Sequence, residues 1–167
     1  IDCRATGWIL ALMLLCPAGL VLADPGDLDP SFGAGGIVLG PNASQGTAIV
    51  RQPDGKLVVA GYRIAGPNRF LVARYDGDGV PDAGFGTGGV AETALGTGTA
   101  IAEAVVLQAD GKIVAAGTYV AGPSDAQIAL VRYQADGTLD TTFGTGGIVI
   151  VGGATNENAN ALAQQSD

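Results

Sequence analysis

Apolar residues along this chain come in short runs broken by Gly and Asp, and they show no helical period. Clear examples are "LVVAGY" at 57–62, "RFLVARY" at 69–75 and "IVAAG" at 113–117. Short runs rich in Val, Ile and Tyr predict β-strands. Because 57–60 and 113–116 are apolar at every position, we expect these strands to be buried on both faces.

One ten-residue phrase occurs twice: "QPDGKLVVAG" at 52–61 returns as "QADGKIVAAG" at 108–117. In each copy an Asp-Gly pair separates two strand-like runs. Gly takes the positive φ of a tight turn without steric cost, so each phrase predicts the corner of a β-hairpin. The run at 69–75 then follows as a third strand and ends at the turn Asp78-Gly79.

A second phrase occurs three times, as "GDLDPSFGAGGI" (26–37), "GVPDAGFGTGGV" (79–90) and "GTLDTTFGTGGI" (137–148). Its Gly pair is followed by apolar residues, and we predict short fourth strands at 35–39 and 88–92. Length differences between the units fall outside both phrases, which marks the differing segments as loops.

Four short strands per unit, repeated with turn signals between them, are typical of a β-propeller blade. We therefore predict an all-β fold in which residues 24–167 form an open partial propeller, with units at approximately 26–78, 79–136 and 137–167, the last truncated. A β-helix is the alternative, although its repeats are usually shorter and lack tight antiparallel hairpins. A closed propeller has about 4–8 blades, so we expect more repeats of the same chain.

The first 23 residues differ from the rest. Arg4 precedes a short apolar run that ends in Val21-Leu22-Ala23, a pattern typical of a secretory signal peptide cleaved after Ala23. A membrane anchor is the alternative, but the run is short and contains Pro17. Cleavage would leave no membrane span and a mature chain that begins at Asp24, a secreted or cell-envelope protein.

Composition excludes several kinds of function. The formal net charge is −8 and the basic residues are scattered, which argues against nucleic acid. The chain has no His, and both Cys lie in the predicted signal peptide. Zinc sites and Cys or Ser-His nucleophiles are therefore excluded from the mature chain.

The stretch "DGDGVPD" resembles a calcium loop, because Asp76, Asp78 and Asp82 alternate with Gly and small residues. Val80 and Thr87, however, stand where further oxygen ligands would be needed. Turn chemistry explains the stretch better, because Asp bonds its own backbone in turns. We predict no metal site, cofactor site or catalytic residue, with calcium binding by these three Asp as the alternative.

Arg74 and Arg132 occupy the same place in the two units, and each is followed by Tyr. We interpret each Arg as a tie inside its blade, paired with a turn carboxylate such as Asp54 or Asp110. Anion binding is the alternative. The repeated aromatic residues are expected to pack in the core.

The combination of "LDPSFGAGGI", "VRQPDGKLVVAGY" and "FLVARYDGDGVPDAGFGTGGV" resembles the delta-60 repeat of bacterial exported proteins, over residues 26–167. The resemblance implies a propeller-like fold and an extracellular or cell-envelope setting. It implies no reaction.

We therefore expect a non-catalytic exported repeat protein, a surface scaffold or binding module for an unknown protein or carbohydrate ligand. The alternatives are a metal-dependent propeller enzyme with an axial site and a calcium-stiffened envelope spacer. Specificity is expected in the segments that differ between units, 63–68 against 120–127 and 40–46 against 93–102.

Overall fold

The computed structural model describes residues 25–64, 66–123, 125–152 and 157–165, and the signal peptide predicted at 1–23 lies outside them. The described residues form two four-stranded antiparallel sheets and no helix, and therefore no helix that could cross a membrane. The strands of the first sheet are β1 (Ser44–Arg51), β2 (Leu57–Arg63), β3 (Arg69–Tyr75) and β4 (Val90–Thr93). Those of the second are β5 (Thr99–Leu107), β6 (Ile113–Gly122), β7 (Asp125–Tyr133) and β8 (Ile148–Val151).

Strand order within each sheet follows chain order, and the two sheets are open, which confirms the predicted all-β fold of propeller-type units. The predicted hairpin corners are also confirmed. Gly55 and Gly111 have φ of 91° and 83°, the values that their tight turns require. The Gly55 N–H donates to the Gln52 carbonyl and the Gly111 N–H to the Gln108 carbonyl, each at 2.9 Å, and these hydrogen bonds close the two turns.

The fourth strand of each sheet follows the next copy of the second phrase. The two sheets, at 44–93 and 99–151, are therefore out of phase with the units predicted at 26–78 and 79–136. The register repeats as well. Phe70 lies opposite Thr93 in the first sheet, as Ile128 lies opposite Val151 in the second. The second phrase is therefore the connection that carries the chain from the third to the fourth strand of one blade.

The ten-residue phrase ends in Gly because of a β-bulge in the innermost strand. The register shifts between Ala102 and Ala104 in β5, opposite Gly117. A Cβ at Gly117 would lie 2.0 Å from the Ile101 carbonyl oxygen, closer than any side chain can approach. Gly61 meets the same obstacle in the first sheet. The repeated phrase is thus a building unit, since its residues serve the turn and the bulge.

The main core lies between the two sheets. Val58, Phe70 and Val72 of the first sheet are fully buried in one cluster with residues of the second, including Ile113 and Tyr133. The Tyr133 hydroxyl lies 2.8 Å from Thr93 Oγ1, a buried hydrogen bond that joins the sheets. Burial of this Tyr raises its pKa.

Two-sided burial is confirmed at 113–116 but is wrong for 57–60, where Leu57 and Val59 are only partly buried. Their face of the first sheet is covered by the segment around Val38 and by no further sheet among the described residues. The fourth strand predicted at 35–39 is also wrong. The fourth strand predicted at 88–92 is confirmed by β4, which begins two residues later, at Val90. No described third strand lies beside 35–39, so its backbone has no ladder to join.

Candidate functional site

Connections of constant and of variable length lie at opposite ends of the sheets. The constant ones join β1 to β2 (52–56) and β3 to β4 (76–89), with counterparts of the same lengths in the second sheet. Because the strands are antiparallel, both lie at one end, which we call the conserved end. The connections of β2 to β3 and of β4 to β5 lie at the other, the variable end. The segments predicted to carry specificity are thus gathered together.

The conserved end of the first sheet holds an ionic cluster centred on Asp82. Its Oδ2 accepts from Arg74 Nε and Lys56 Nζ, each at 2.8 Å, and its Oδ1 accepts from the Gly84 N–H at 2.9 Å. Asp54 is peripheral, at 3.9 Å from the Lys56 nitrogen. Arg74 therefore is the tie inside the blade that we predicted, but the suggested partner Asp54 was wrong.

The second sheet repeats the cluster around Asp140, whose side chain is 1% exposed. Arg132 Nε donates to its Oδ2 at 2.8 Å, so the suggested partner Asp110 was wrong as well. A hydrogen bond from the Thr142 hydroxyl lowers the pKa of Asp140, and the charge of Arg132 acts in the same direction. The true partner lies in the aligned second phrase, which a systematic comparison of the repeats would have offered as a candidate.

Each Arg also stacks on the Phe of its phrase. The carbon of the Arg74 guanidinium lies 4.7 Å from the centre of the Phe85 ring, and that of Arg132 lies 4.5 Å from the Phe143 ring. Arg74 Nη1 donates to the Ala135 carbonyl at 2.5 Å, a link between the two sheets. These guanidiniums hold the scaffold together, and a ligand anion would have to displace protein groups.

A contact between phrase and turn joins successive units, and we call it the FG contact. The Gly86 N–H donates to the Asp136 carbonyl at 2.7 Å, and a Cβ on Gly137 would lie 3.0 Å from the Phe85 ring. The same contact exists one unit earlier, where the Gly33 N–H donates to Asp78 at 2.7 Å. The Gly-rich phrases therefore form bends within a blade, between its third and fourth strands, and not bends between blades as their Gly content suggests. Each bend contacts a turn of the next unit.

The calcium-like stretch forms a turn in which two of the three carboxylates, those of Asp76 and Asp82, accept hydrogen bonds from protein groups. Asp76 Oδ1 accepts from the N–H groups of Asp78 and Val80, at 3.0 Å and 2.8 Å, and Asp82 belongs to the ionic cluster. Within the part of the chain that the structure describes, no three acidic, His or Cys side chains are grouped as metal ligands. The turn interpretation accounts for each of these contacts.

A pair of arginines at the variable end was missed from the sequence. Arg63 and Arg69 lie directly opposite each other on β2 and β3, and so on the same face of the sheet. Arg63 lies 3.4 Å from the Glu92 carboxylate. Both residues line, together with Pro41, a cavity of about 440 Å³. Like charges placed opposite each other are destabilising. Glu92 supplies an anion to Arg63, whereas no ion pair joins Arg69 to the residues that the structure describes.

The arginine pair breaks the repeat. In the second sheet Tyr119 lies opposite Gln127 at the corresponding register. Cations that occur in one unit only serve no shared structural purpose, whereas the ionic clusters recur in both. The available signal in the sequence was therefore a departure from the repeat and not a motif.

The chain is an all-β protein built from β-propeller repeats, with two open four-stranded sheets and an ionic cluster that recurs in both. Residues 52–85 and 108–143 match the family model described as "Domain of unknown function (DUF5122) beta-propeller". Each matched segment runs from the Asp-Gly hairpin through the third strand to the Phe of the second phrase, Phe85 or Phe143. No curated protein and no solved structure matches the chain.

We expect the protein to lose stability in acid as Asp82 becomes protonated. Hydrogen bonding from Lys56, then from the Gly84 N–H, with the charge of Arg74 nearby, lowers the pKa of Asp82 from 3.8 to about 2. Such a group stabilises the fold fully above its unfolded pKa, and this contribution is lost as the pH falls toward the folded value. Thermal melting from about pH 5 to about pH 2 should show a steeper fall of Tm in the wild type than in Asp82→Asn. Parallel curves would contradict the assignment.

Proposed function

We propose that this chain is part of a non-catalytic, exported propeller protein of the delta-60 repeat type, which binds acidic carbohydrate at the variable end. The observation that carries the proposal is the pair Arg63 and Arg69, which stands outside the repeat pattern on one face of the first sheet. Carboxylate groups on a polysaccharide would offset the repulsion between the two guanidiniums and form charge-assisted hydrogen bonds with them.

Export is supported by residues 1–23, whose pattern is typical of a signal peptide. The mature protein then begins at Asp24 and works outside the cytoplasm, as a secreted or envelope protein, and more repeats follow in the same polypeptide. N-terminal sequencing of the exported protein tests this proposal. A secreted form that still begins at Ile1 would contradict it.

Binding can be tested by retention of the full-length protein on insoluble polysaccharides. Calcium-free alginate and polygalacturonate gels supply carboxylates, and cellulose and chitin are uncharged controls. We expect retention on the acidic gels only, and we expect added salt to weaken it, since exposed charges are screened over about 3 Å at 1 M salt.

The variant Arg63→Gln/Arg69→Gln should lose retention by tenfold or more, about 1.4 kcal/mol per tenfold. Arg51→Gln is the matched control, because Arg51 is an exposed arginine at the conserved end of the same sheet. Equal losses in the two variants would indicate attraction by charge alone. Failure of every gel to retain the wild type, or stoichiometric metal in the dialysed protein, would contradict the proposed role.

A further inference from the structure

Three charged residues on one face of the first sheet depart from the repeat together. Besides Arg63 and Arg69, this face carries Glu92, which lies on β4 opposite Leu71. The second sheet has no charge at the three equivalent positions, which are occupied by Tyr119, Gln127 and Ile150. The carboxylate therefore differs from the repeat in company with the two guanidiniums, as expected of residues that belong to one site.

The ion pair between Arg63 and Glu92 is loose. Arg63 Nη1 and Glu92 Oε1 are 3.4 Å apart, whereas a charge-assisted hydrogen bond between such groups is about 2.7–2.9 Å long. Each side chain is 33% exposed, so water screens the attraction, and ion pairs of this kind contribute little to stability. The fold therefore does not depend on this pair as it does on the tight contacts of Asp82 and Asp140.

The second guanidinium has no such anion. Arg69 is exposed, and no ion pair joins it to the residues that the structure describes. Glu92 thus neutralises one of two neighbouring cations and leaves one positive charge on this face. A carboxylate that approaches the face meets an accessible guanidinium at Arg69 and an occupied one at Arg63.

A cavity lies beside the occupied arginine. Its volume of about 440 Å³ falls within the range of ligand pockets, roughly 300–1,000 Å³, and it is lined by Pro41, Arg63, Thr87, Val90 and Glu92. Sugar hydroxyls could donate hydrogen bonds to the Glu92 carboxylate and accept them from the Arg63 guanidinium. A carboxylate in the same place would lie against Glu92 and be repelled. The cavity therefore suits a neutral sugar better than a uronate.

We propose that Glu92 determines which acidic polysaccharides bind at the variable end, because it occupies Arg63 and leaves Arg69 as the anchor for a single carboxylate. A bound polymer then has a uronate at Arg69 and a neutral sugar in the cavity. Polymers whose carboxylates are separated by neutral sugars are favoured over polymers that carry one on every sugar. The inference rests on the proposed binding of acidic carbohydrate and adds to it the spacing of the charges.

Retention of the full-length protein on two calcium-free polygalacturonate gels tests the role of Glu92. One gel has all its carboxylates free, and the other is partly methyl-esterified, so that many of its sugars are neutral. The quantity to compare is the ratio of retention on the fully charged gel to retention on the esterified gel. We expect Glu92→Gln to raise this ratio by about fivefold or more, because the repulsion is removed and Arg63 is released for a second carboxylate.

Asp78→Ser is the matched control, because Asp78 is an exposed acid at the conserved end and its removal changes the net charge by the same amount. It should leave the ratio at the wild-type value. A rise as large as that of Glu92→Gln would mean that net charge alone sets the preference, and would overturn the proposal.

Removal of Arg63 tests whether Glu92 acts through it. In the background Arg63→Gln, the further change Glu92→Gln should alter the ratio little, since no guanidinium is left to release. An equal rise with and without Arg63 would contradict the proposal. The Tm of Glu92→Gln should stay within about 2 °C of the wild type, because the ion pair is partly exposed. A larger fall would make the pair a structural contact and would also overturn the inference.

The same gels separate the two proposals. If neither gel retains the wild type, the proposed carbohydrate binding is wrong and this inference falls with it. If the wild type is retained and Glu92→Gln leaves the ratio unchanged, only the role of Glu92 is wrong.

Discussion

Replacement of Gly117 by Ala is expected to lower the free energy of unfolding by about 3 kcal/mol or more. The added Cβ would lie 2.0 Å from the carbonyl oxygen of Ile101 and 2.8 Å from the Cα of Ala102, both backbone atoms of the neighbouring strand. Neither can rotate away as a side chain would, so the bulge must move or β5 must separate from β6. Urea unfolding of the full-length protein measures the loss.

Gly122→Ala is the matched control, because Gly122 ends the same strand, β6, and a Cβ there would meet no atom within 4 Å. Its effect should stay within about 1 kcal/mol, since only backbone entropy and local fit change. Equal effects of the two substitutions would mean that the bulge does not explain why the phrase ends in Gly.

Phe85→Ala is expected to destabilise the protein by about 3–5 kcal/mol. The Phe85 side chain is fully buried between the two sheets, the Arg74 guanidinium covers its ring, and its edge contacts the turn at Gly137. Truncation opens a cavity at the FG contact and removes the surface on which the Arg rests. Thermal or urea unfolding, followed by the near-ultraviolet signal of the aromatic residues, measures the change.

Phe85→Leu separates the ring from its volume. Leu retains most of the buried apolar surface and loses the cation–π contact, which is worth about 0.5–2 kcal/mol. We therefore expect a clearly smaller loss than for Ala. A Leu variant as unstable as the Ala variant would show that the stacking of Arg74, and not the filling of the blade interface, dominates at this position.

The hairpins and the third strands could be predicted from short stretches of sequence. Asp54-Gly55 and Asp110-Gly111 specify tight turns through local backbone preference, whatever the rest of the chain does. The repeat then supported each assignment with a second copy. The fourth strand was predictable at 88–92 for the same reason, but the identical signal failed at 35–39, because a strand forms only beside a partner.

The candidate sites were less predictable, because they depend on distances between separate strands. Pairing of Arg74 with Asp82 across the loop of the second phrase could have been guessed from the alignment, yet Asp54 was an equally plausible carboxylate by chemistry alone. Arg63 and Arg69 meet only because the β2–β3 register places them opposite each other. Nothing in the local sequence marks that encounter.

The sequence by itself determined the repeating unit, its turns and the order of its strands, because these follow from local backbone preferences and from apolar runs that recur. Only the tertiary structure decided how residues at equivalent positions of the repeat differ in burial. Phe85 and Phe143 stand in the same phrase, each under its own Arg, yet Phe85 is fully buried and Phe143 only partly. The difference arises because the turn of the next unit covers Phe85 and no described turn covers Phe143. Burial belongs to the packing of neighbouring blades, which a single repeat does not encode.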